Sequence, residues 1–237
     1  MGGYQWNWHV FLQDTGADET YLHWMFSAWK WTLTVSALGW IVALVVGALI
    51  GVLRTVPHRG LRWFGDAWVE LFRNIPLLVQ IFLWYHVVPA LIPPMKSLPS
   101  LVLVVFALGF FTSARVAEQV RAGILALPRG QRMAGQALGM TLPQTYRYVI
   151  LPMAFRLIIP PLTSEAMNII KNSSVAFAVS ISEMILFAMQ AQEETGHGIE
   201  IYIGVTVLYM ISALLVNRVM ALIESAVRVP GFVGATK

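Results

Sequence analysis

A run of 23 residues without a charge, residues 31–53 (WTLTVSALGWIVALVVGALIGVL), dictates the solvent in which this chain folds. Wound as a helix at 1.5 Å per residue it reaches about 35 Å, more than the ~30 Å of hydrocarbon in a bilayer. Three more apolar runs follow, over residues 75–92, 98–114 and 199–223, and a long mixed stretch covers 157–190. Only 12% of residues are charged, against about 25% in a soluble domain. No charged segment is long enough to build a large water-soluble domain. The expected fold is all-α: a polytopic membrane bundle of five transmembrane helices. It forms one membrane domain over 1–237, with its membrane core in 31–223.

The positions of the basic residues orient the bundle. Residues 54–62 carry Arg54, Arg59 and Arg62. Residues 115–156 carry Arg115, Arg121, Arg129, Arg132, Arg147 and Arg156. Arg218, Arg228 and Lys237 lie at and after the last run. The opposite side has Lys30 and Lys96, together with Asp14, Asp18, Glu19, Glu193, Glu194 and Glu200. The alternation predicts an outer N-terminus and a cytoplasmic C-terminus. Splitting 157–190 into two spans would put the basic tail outside, so a single broken helix is expected there, distorted by Pro160 and Pro161. The start, MGGYQWNWHV, lacks the basic and apolar regions of a cleaved signal. Gly2 does not make an acylation site, because Trp6 stands where Ser or Thr is required.

Several chemistries are disfavoured. Cysteine is absent, so there is no disulfide, thiol or cysteine–metal chemistry. The histidines, His9, His23, His58, His86 and His197, show no H-E-x-x-H spacing, and no G-x-S-x-G elbow surrounds Ser173 and Ser174. The phosphate-binding G-x-x-x-x-G-K-[ST] is missing, so any ATPase is another polypeptide. Inverted repeats, expected of many secondary transporters, are not found. The net charge of +4 is modest and suggests no nucleic-acid partner.

Within the first span Gly39, Ala43, Gly47 and Gly51 recur every four residues, a smooth stripe for close helix packing inside the subunit or at an interface between subunits. Trp24, Trp29 and Trp31 at its outer end, and Trp63 and Trp68 near the inner side, read as interfacial anchors. Polar residues inside the membrane are expensive and need a reason. Glu70, Arg73 and Asn74 enter the second span before Pro76. Arg115, Glu118 and Arg121 share a face at the end of the third. Lys171, Asn172, Ser173 and Ser174 sit in the fourth, after Glu165. The candidate solute path is Arg73, Asn74, Arg115, Glu118, Arg121, Lys171, Asn172 and Ser173. Glu118 also suits simple neutralisation of Arg115 or Arg121. Lys171 suits an internal pair with Glu165 or Glu118, snorkelling, or contact with a passing carboxylate.

Residues 131–148 are too polar to span, and Met133, Ala137, Leu138 and Met140 are spaced for a short amphipathic helix. Met133-Ala134-Gly135, then Gly139, then Val149 and Leu151-Pro152 keep a fixed spacing. That spacing resembles the EAA loop of ABC importer permeases: Glu-Ala-Ala, three residues, Gly, nine residues, Ile, one residue, Leu-Pro. Met133 replaces the Glu and Gly135 the second Ala. The strings ELFRNIPLLVQ (70–80), AEQVRAGILALPRGQ (117–131) and NIIKNSSVAFAVSISEM (168–184) are similar to the polar amino acid uptake branch, most of all to glutamate/aspartate importer permeases. The resemblance implies a cytoplasmic coupling helix between spans three and four, in 134–152. Met133, Ala134, Gly135, Ala137, Leu138, Gly139, Leu151 and Pro152 would contact the ATPase. It further implies a multi-pass protein of the bacterial inner membrane. Its partners would be two ATPase subunits carrying ATP and Mg, a second permease (copy or paralogue) and an external solute-binding protein. A polar amino acid would be the substrate, and no cofactor would sit on this chain.

Overall fold

The structure is a computed structural model, described here over residues 4–16 and 18–227, the Arg129 side chain excepted. Arg228 and Lys237 of the basic tail, and Gly2, lie outside the described residues. Among those described, the chain is helical: α1 (Tyr21–Leu53), α2 (Arg59–Asn74), α3 (Leu77–Phe82), α4 (Val88–Leu91), α5 (Ser100–Leu125), α6 (Arg129–Ala137), α7 (Leu142–Thr145), α8 (Leu151–Asn172), α9 (Met184–Thr195) and α10 (Gly198–Val227). Four segments are long and apolar enough to cross a membrane: Tyr21–Leu53, Ser100–Leu125, Leu142–Val179 and Gly198–Val227. A bent pair, Arg59–Asn74 with Leu77–Leu91, makes a fifth if counted as one span.

The second span differs from the expected run over 75–92. Pro76 holds Ile75 in extended backbone (φ −91°, ψ 128°), which ends α2. Glu70, Arg73 and Asn74 therefore belong to a separate amphipathic helix and do not enter the span as its first turn. The fourth segment also departs from expectation. Pro160 and Pro161 lie inside an unbroken α8. They forfeit two backbone bonds, but Ile158, Ile159, Leu162 and Ala166 around them are buried and keep the helix seated. The break comes at 173–183. There Ser173 Oγ donates to the Ile170 carbonyl (2.8 Å) and Ser174 Oγ to that of Lys171 (2.7 Å). Ser180 then adopts a left-handed conformation (φ 60°).

Two wide π turns, Leu83–Val87 and Tyr146–Ile150, each end just before an X-Pro pair. The N–H of Val88 reaches back to Leu83 and that of Leu151 to Tyr146, and Pro89 and Pro152 follow. A proline ring collides with the carbonyl four residues back, and widening the preceding turn relieves the collision without ending the helix.

The described residues fall into two units, one drawn from 1–39, 77–108 and 169–215, the other from 40–76, 109–168 and 216–237. The core of the first packs Tyr21, Met25 and Ala28 of α1 with Met184, Phe187, Ala188 and Ala191 of α9 and Ile201, Val205 and Leu208 of α10. Trp24 sits edge-on to Phe187 at 5.1 Å, and Trp29 Nε1 donates to Ser212 Oγ at 2.7 Å. Those two tryptophans are thus internal packing elements. Glu183, fully buried, caps α9 by accepting from the N–H groups of Ile185 and Leu186, both at 2.9 Å, and takes the Tyr209 hydroxyl at 3.2 Å. Glu200, also fully buried, accepts from Tyr4 Oη and from the Asn7 N–H, which pins the N-terminal segment to the start of α10. Burial needs such partners, because an unpaired polar atom there costs the whole desolvation penalty.

The core of the second unit gathers Ala43 of α1, Val116, Val120 and Ile124 of α5, Ala154, Ile158, Ile159 and Leu162 of α8, and Met220 of α10. The small-residue stripe works inside the subunit. A Cβ on Gly47 would stand 2.5 Å from Val116 Cβ, and one on Gly51 would stand 2.6 Å from Val120 Cβ. In the first unit Gly39 likewise faces Leu108. Trp68 of α2 packs on Phe72 (4.5 Å) and Phe110 (5.1 Å) and donates to Ser113 Oγ (3.0 Å). Trp63 stays 73% exposed, as an interfacial anchor would.

Candidate coupling segment and membrane polar residues

The segment 129–152 lies wholly in the second unit, so its geometry can be followed from residue to residue. α6 closes in a Schellman arrangement: the Gly139 N–H donates to the Gln136 carbonyl (3.0 Å) and the Met140 N–H to that of Gly135 (3.1 Å). The motif requires a left-handed residue, and Gly139 supplies it with φ +75°. Two residues on, the next helix starts with its own lock. The Gln144 side chain accepts from the Thr141 N–H (2.8 Å) and hydroxyl (2.9 Å), and Pro143 sits in the first turn, where no N–H is needed. α6 folds back on α7 where Gly135 leaves room: a Cβ there would meet Thr145 Cγ2 at 3.0 Å.

Two devices tie this hairpin to the membrane helices. The π turn joins α7 to α8 without a loop. The Tyr146 hydroxyl donates to the Thr55 carbonyl (2.9 Å) and lies 3.1 Å from the Thr55 hydroxyl, just past the end of α1. The hairpin is thus joined without a loop to α8 and by hydrogen bonds to the residues just after α1. Beneath α6 runs a cleft of about 460 Å³ lined by Thr55, Leu127, Gln131, Arg132, Gln136 and Tyr146, among others.

Much of the surface of this segment is apolar, and Met133 also borders the cleft. Met133 is 64% and Leu138 78% exposed, and Ala134, Ala137 and Gly139 are exposed with them. Gly135 is buried against Thr145, Leu151 is half-buried and Pro152 is exposed. The predicted coupling residues thus divide into an exposed set and a set that shapes the hairpin. Tyr146 and Thr55 were missed in the sequence. A tyrosine five residues before Leu-Pro gives no signal until its hydroxyl is seen on a carbonyl 91 positions away.

The membrane polar residues also sort by unit. In the second, Arg73 pairs with Glu118 at 2.5 Å, so Glu118 neutralises neither Arg115 nor Arg121 by contact. Glu70 accepts from the Asn74 amide at 2.7 Å. Arg115 lies over the Phe111 ring at 4.3 Å, and Glu165 is buried with its Oε2 accepting no hydrogen bond among the described residues. Arg121 is exposed. In the first unit Lys171 is exposed and Asn172 half-buried, whereas Ser173 is buried with its hydroxyl proton committed to Ile170. Among the described residues, no group of three or more His, Cys, Asp or Glu could hold a metal.

An all-helical membrane bundle carrying a stiff amphipathic hairpin between spans is the build of a transport permease. The chain belongs to the family described as binding-protein-dependent transport system inner membrane component, which it matches over residues 25–229. It is a multi-pass inner-membrane subunit of an ABC importer, non-catalytic, with ATP bound by a partner ATPase. Among its relatives is the glutamate/aspartate import permease protein GltJ of Escherichia coli strain K12, 43% identical over 97% of this chain and 98% of that protein. The probable glutamine ABC transporter permease protein GlnM of Bacillus subtilis is 33% identical over 76% of this chain and 82% of the relative. Among solved structures, an amino acid ABC transporter crystallised with histidines superposes with a TM-score of 0.75 at 29% identity, covering 87% of this chain and 95% of that one. The inward-facing MetNI methionine transporter, at 21% identity and a TM-score of 0.70, shares the fold.

Proposed function

We propose that this permease imports glutamate and aspartate. The observation that carries the reading is the 43% identity to GltJ over nearly the full length of both chains. The chain acts as one membrane domain, paired with a second permease; Escherichia coli O6:H1, which has a GltJ equally similar to this chain, also has GltK, a glutamate/aspartate import permease 28% identical to it. Its N-terminus is external and its C-terminus cytoplasmic, with Met133, Ala134, Gly135, Ala137, Leu138, Gly139, Leu151 and Pro152 forming the ATPase contact. Arg73, Asn74, Arg115, Glu118, Arg121, Lys171, Asn172 and Ser173 are candidates for the solute path. The exposed Lys171 is the strongest of them, since its ammonium has no ion-pair partner among the described residues of its unit. A cation of that kind suits an acidic side chain or an α-carboxylate.

The test is uptake of labelled glutamate and aspartate into proteoliposomes holding the assembled importer and its binding protein. ATP-dependent accumulation of both, reduced by neither arginine nor histidine in excess, is expected. Accumulation of a basic amino acid with no acidic one would overturn the substrate assignment.

A further inference from the structure

Between Glu118 and Glu165 the chain contains five arginines, Arg121, Arg129, Arg132, Arg147 and Arg156, and no aspartate, glutamate or lysine. The whole coupling hairpin lies in that interval. The position at which the family pattern has its glutamate is Met133, 64% exposed. The hairpin surface is therefore apolar and cationic, with no anionic group to offer a partner. Among the described residues the arginine–carboxylate pairs are Arg54 with Asp66 and Arg73 with Glu118, and none of them uses Arg121, Arg132, Arg147 or Arg156. Arg121, Arg147 and Arg156 are exposed, and Arg132 lines the cleft under α6. On the same segment Met133, Leu138 and Tyr148 have exposures of 64%, 78% and 64%, Met133 borders the cleft with Arg132, and Arg147 leans toward the Tyr148 ring at 5.7 Å.

We infer that the ATPase surface receiving this hairpin has an apolar floor for Met133 and Leu138 and an acidic rim facing Arg147 and its neighbours. The polarity is opposite to the one a glutamate at position 133 would call for. This rests on the reading of 129–152 as the coupling segment. The reasoning is charge complementarity: like charge opposite these arginines would cost several kcal/mol, and an uncharged rim would leave them without a partner once water is excluded. Met133 in place of glutamate also lets the contact tolerate variation in the groove, because a thioether chain adapts to irregular apolar surfaces.

The experiment uses the whole importer in detergent and in lipid nanodiscs. A Leu138→Cys permease is cross-linked to the ATPase, which reports docking. Affinity of the ATPase for the permease is then measured at rising salt for the wild type, Arg147→Gln, Arg147→Glu and, as a surface control, Arg218→Glu. Weakening of about tenfold is expected for Arg147→Glu, less for Arg147→Gln and none for Arg218→Glu, with a flatter salt dependence in the two Arg147 variants. A lysine replacing the ATPase acid that cross-links to Arg147→Cys should restore binding to Arg147→Glu. If Leu138→Cys cross-links but Arg147→Glu binds as the wild type does, the acidic rim is refuted while the coupling segment stands. If the loss appears only in anionic-lipid discs and not in zwitterionic ones, the arginines serve the membrane surface and the inference is overturned. Failure of any cross-link from position 138 would remove the coupling reading itself.

Discussion

Replacing Gly139 tests the coupling segment most directly. Its φ of +75° places it where a residue with a Cβ is strained by about 1–2 kcal/mol. No heavy atom lies within 4 Å of an added Cβ, so the penalty is pure backbone strain with no clash to relax. That energy falls on the Schellman closure of α6 and lowers the closed-to-open ratio of the hairpin by about 5- to 30-fold. Asparagine tolerates the conformation, alanine less, and valine least. The expected order of ATPase retention and of uptake per ATP hydrolysed is therefore wild type, Gly139→Asn, Gly139→Ala, Gly139→Val. The assay is co-purification at fixed detergent and salt, followed by paired uptake and hydrolysis in proteoliposomes. Gly130→Ala is the control: it is exposed within α6, has no positive φ and has nothing within 4 Å. Full coupling in Gly139→Val, or equal losses in Gly130→Ala and Gly139→Ala, would refute the reasoning.

Gly47→Ala forces a Cβ to 2.5 Å from Val116 Cβ and 2.8 Å from the Ser113 carbonyl oxygen, so overpacking of about 1–3 kcal/mol should lower its thermal midpoint. Gly39→Ala meets side-chain atoms alone, Leu108 at 3.1 and 3.3 Å and Ile169 Cδ1 at 3.4 Å, and should unfold nearer the wild-type temperature; equal shifts for the two would contradict the packing argument. Lys171→Met should assemble and hydrolyse ATP normally, since Lys171 is exposed, yet lose most uptake; unchanged uptake in the assembled variant would remove it from the path. A membrane-impermeant maleimide applied from outside should label Glu193→Cys and spare Arg59→Cys in this cysteine-free chain, and labelling of the latter from outside would reverse the proposed orientation.

Much of this protein is written in one dimension. A bilayer demands long uncharged runs, so the spans beginning near residues 31, 98 and 199 could be read directly, and the small-residue stripe announced a close helix contact. The fixed spacing from Met133 to Pro152 located a short amphipathic helix, and Gly139 the end of α6, because a left-handed turn selects glycine before any packing is considered; that a second short helix folds back on it was not legible. What the sequence left open depended on partners distant along the chain. Pro160 and Pro161 suggested a break that burial of Ile158, Ile159 and Leu162 prevents, while the true break is held by two serine hydroxyls on helix carbonyls. Glu118 could have served Arg115 or Arg121 from its own helix, yet it pairs with Arg73 on another. Tyr146 gave no local sign of its bond to Thr55. Local propensity and solvent choice are properties of short segments and survive in the sequence. The partner of a buried or bridging polar group is decided only when tertiary packing brings one helix against another.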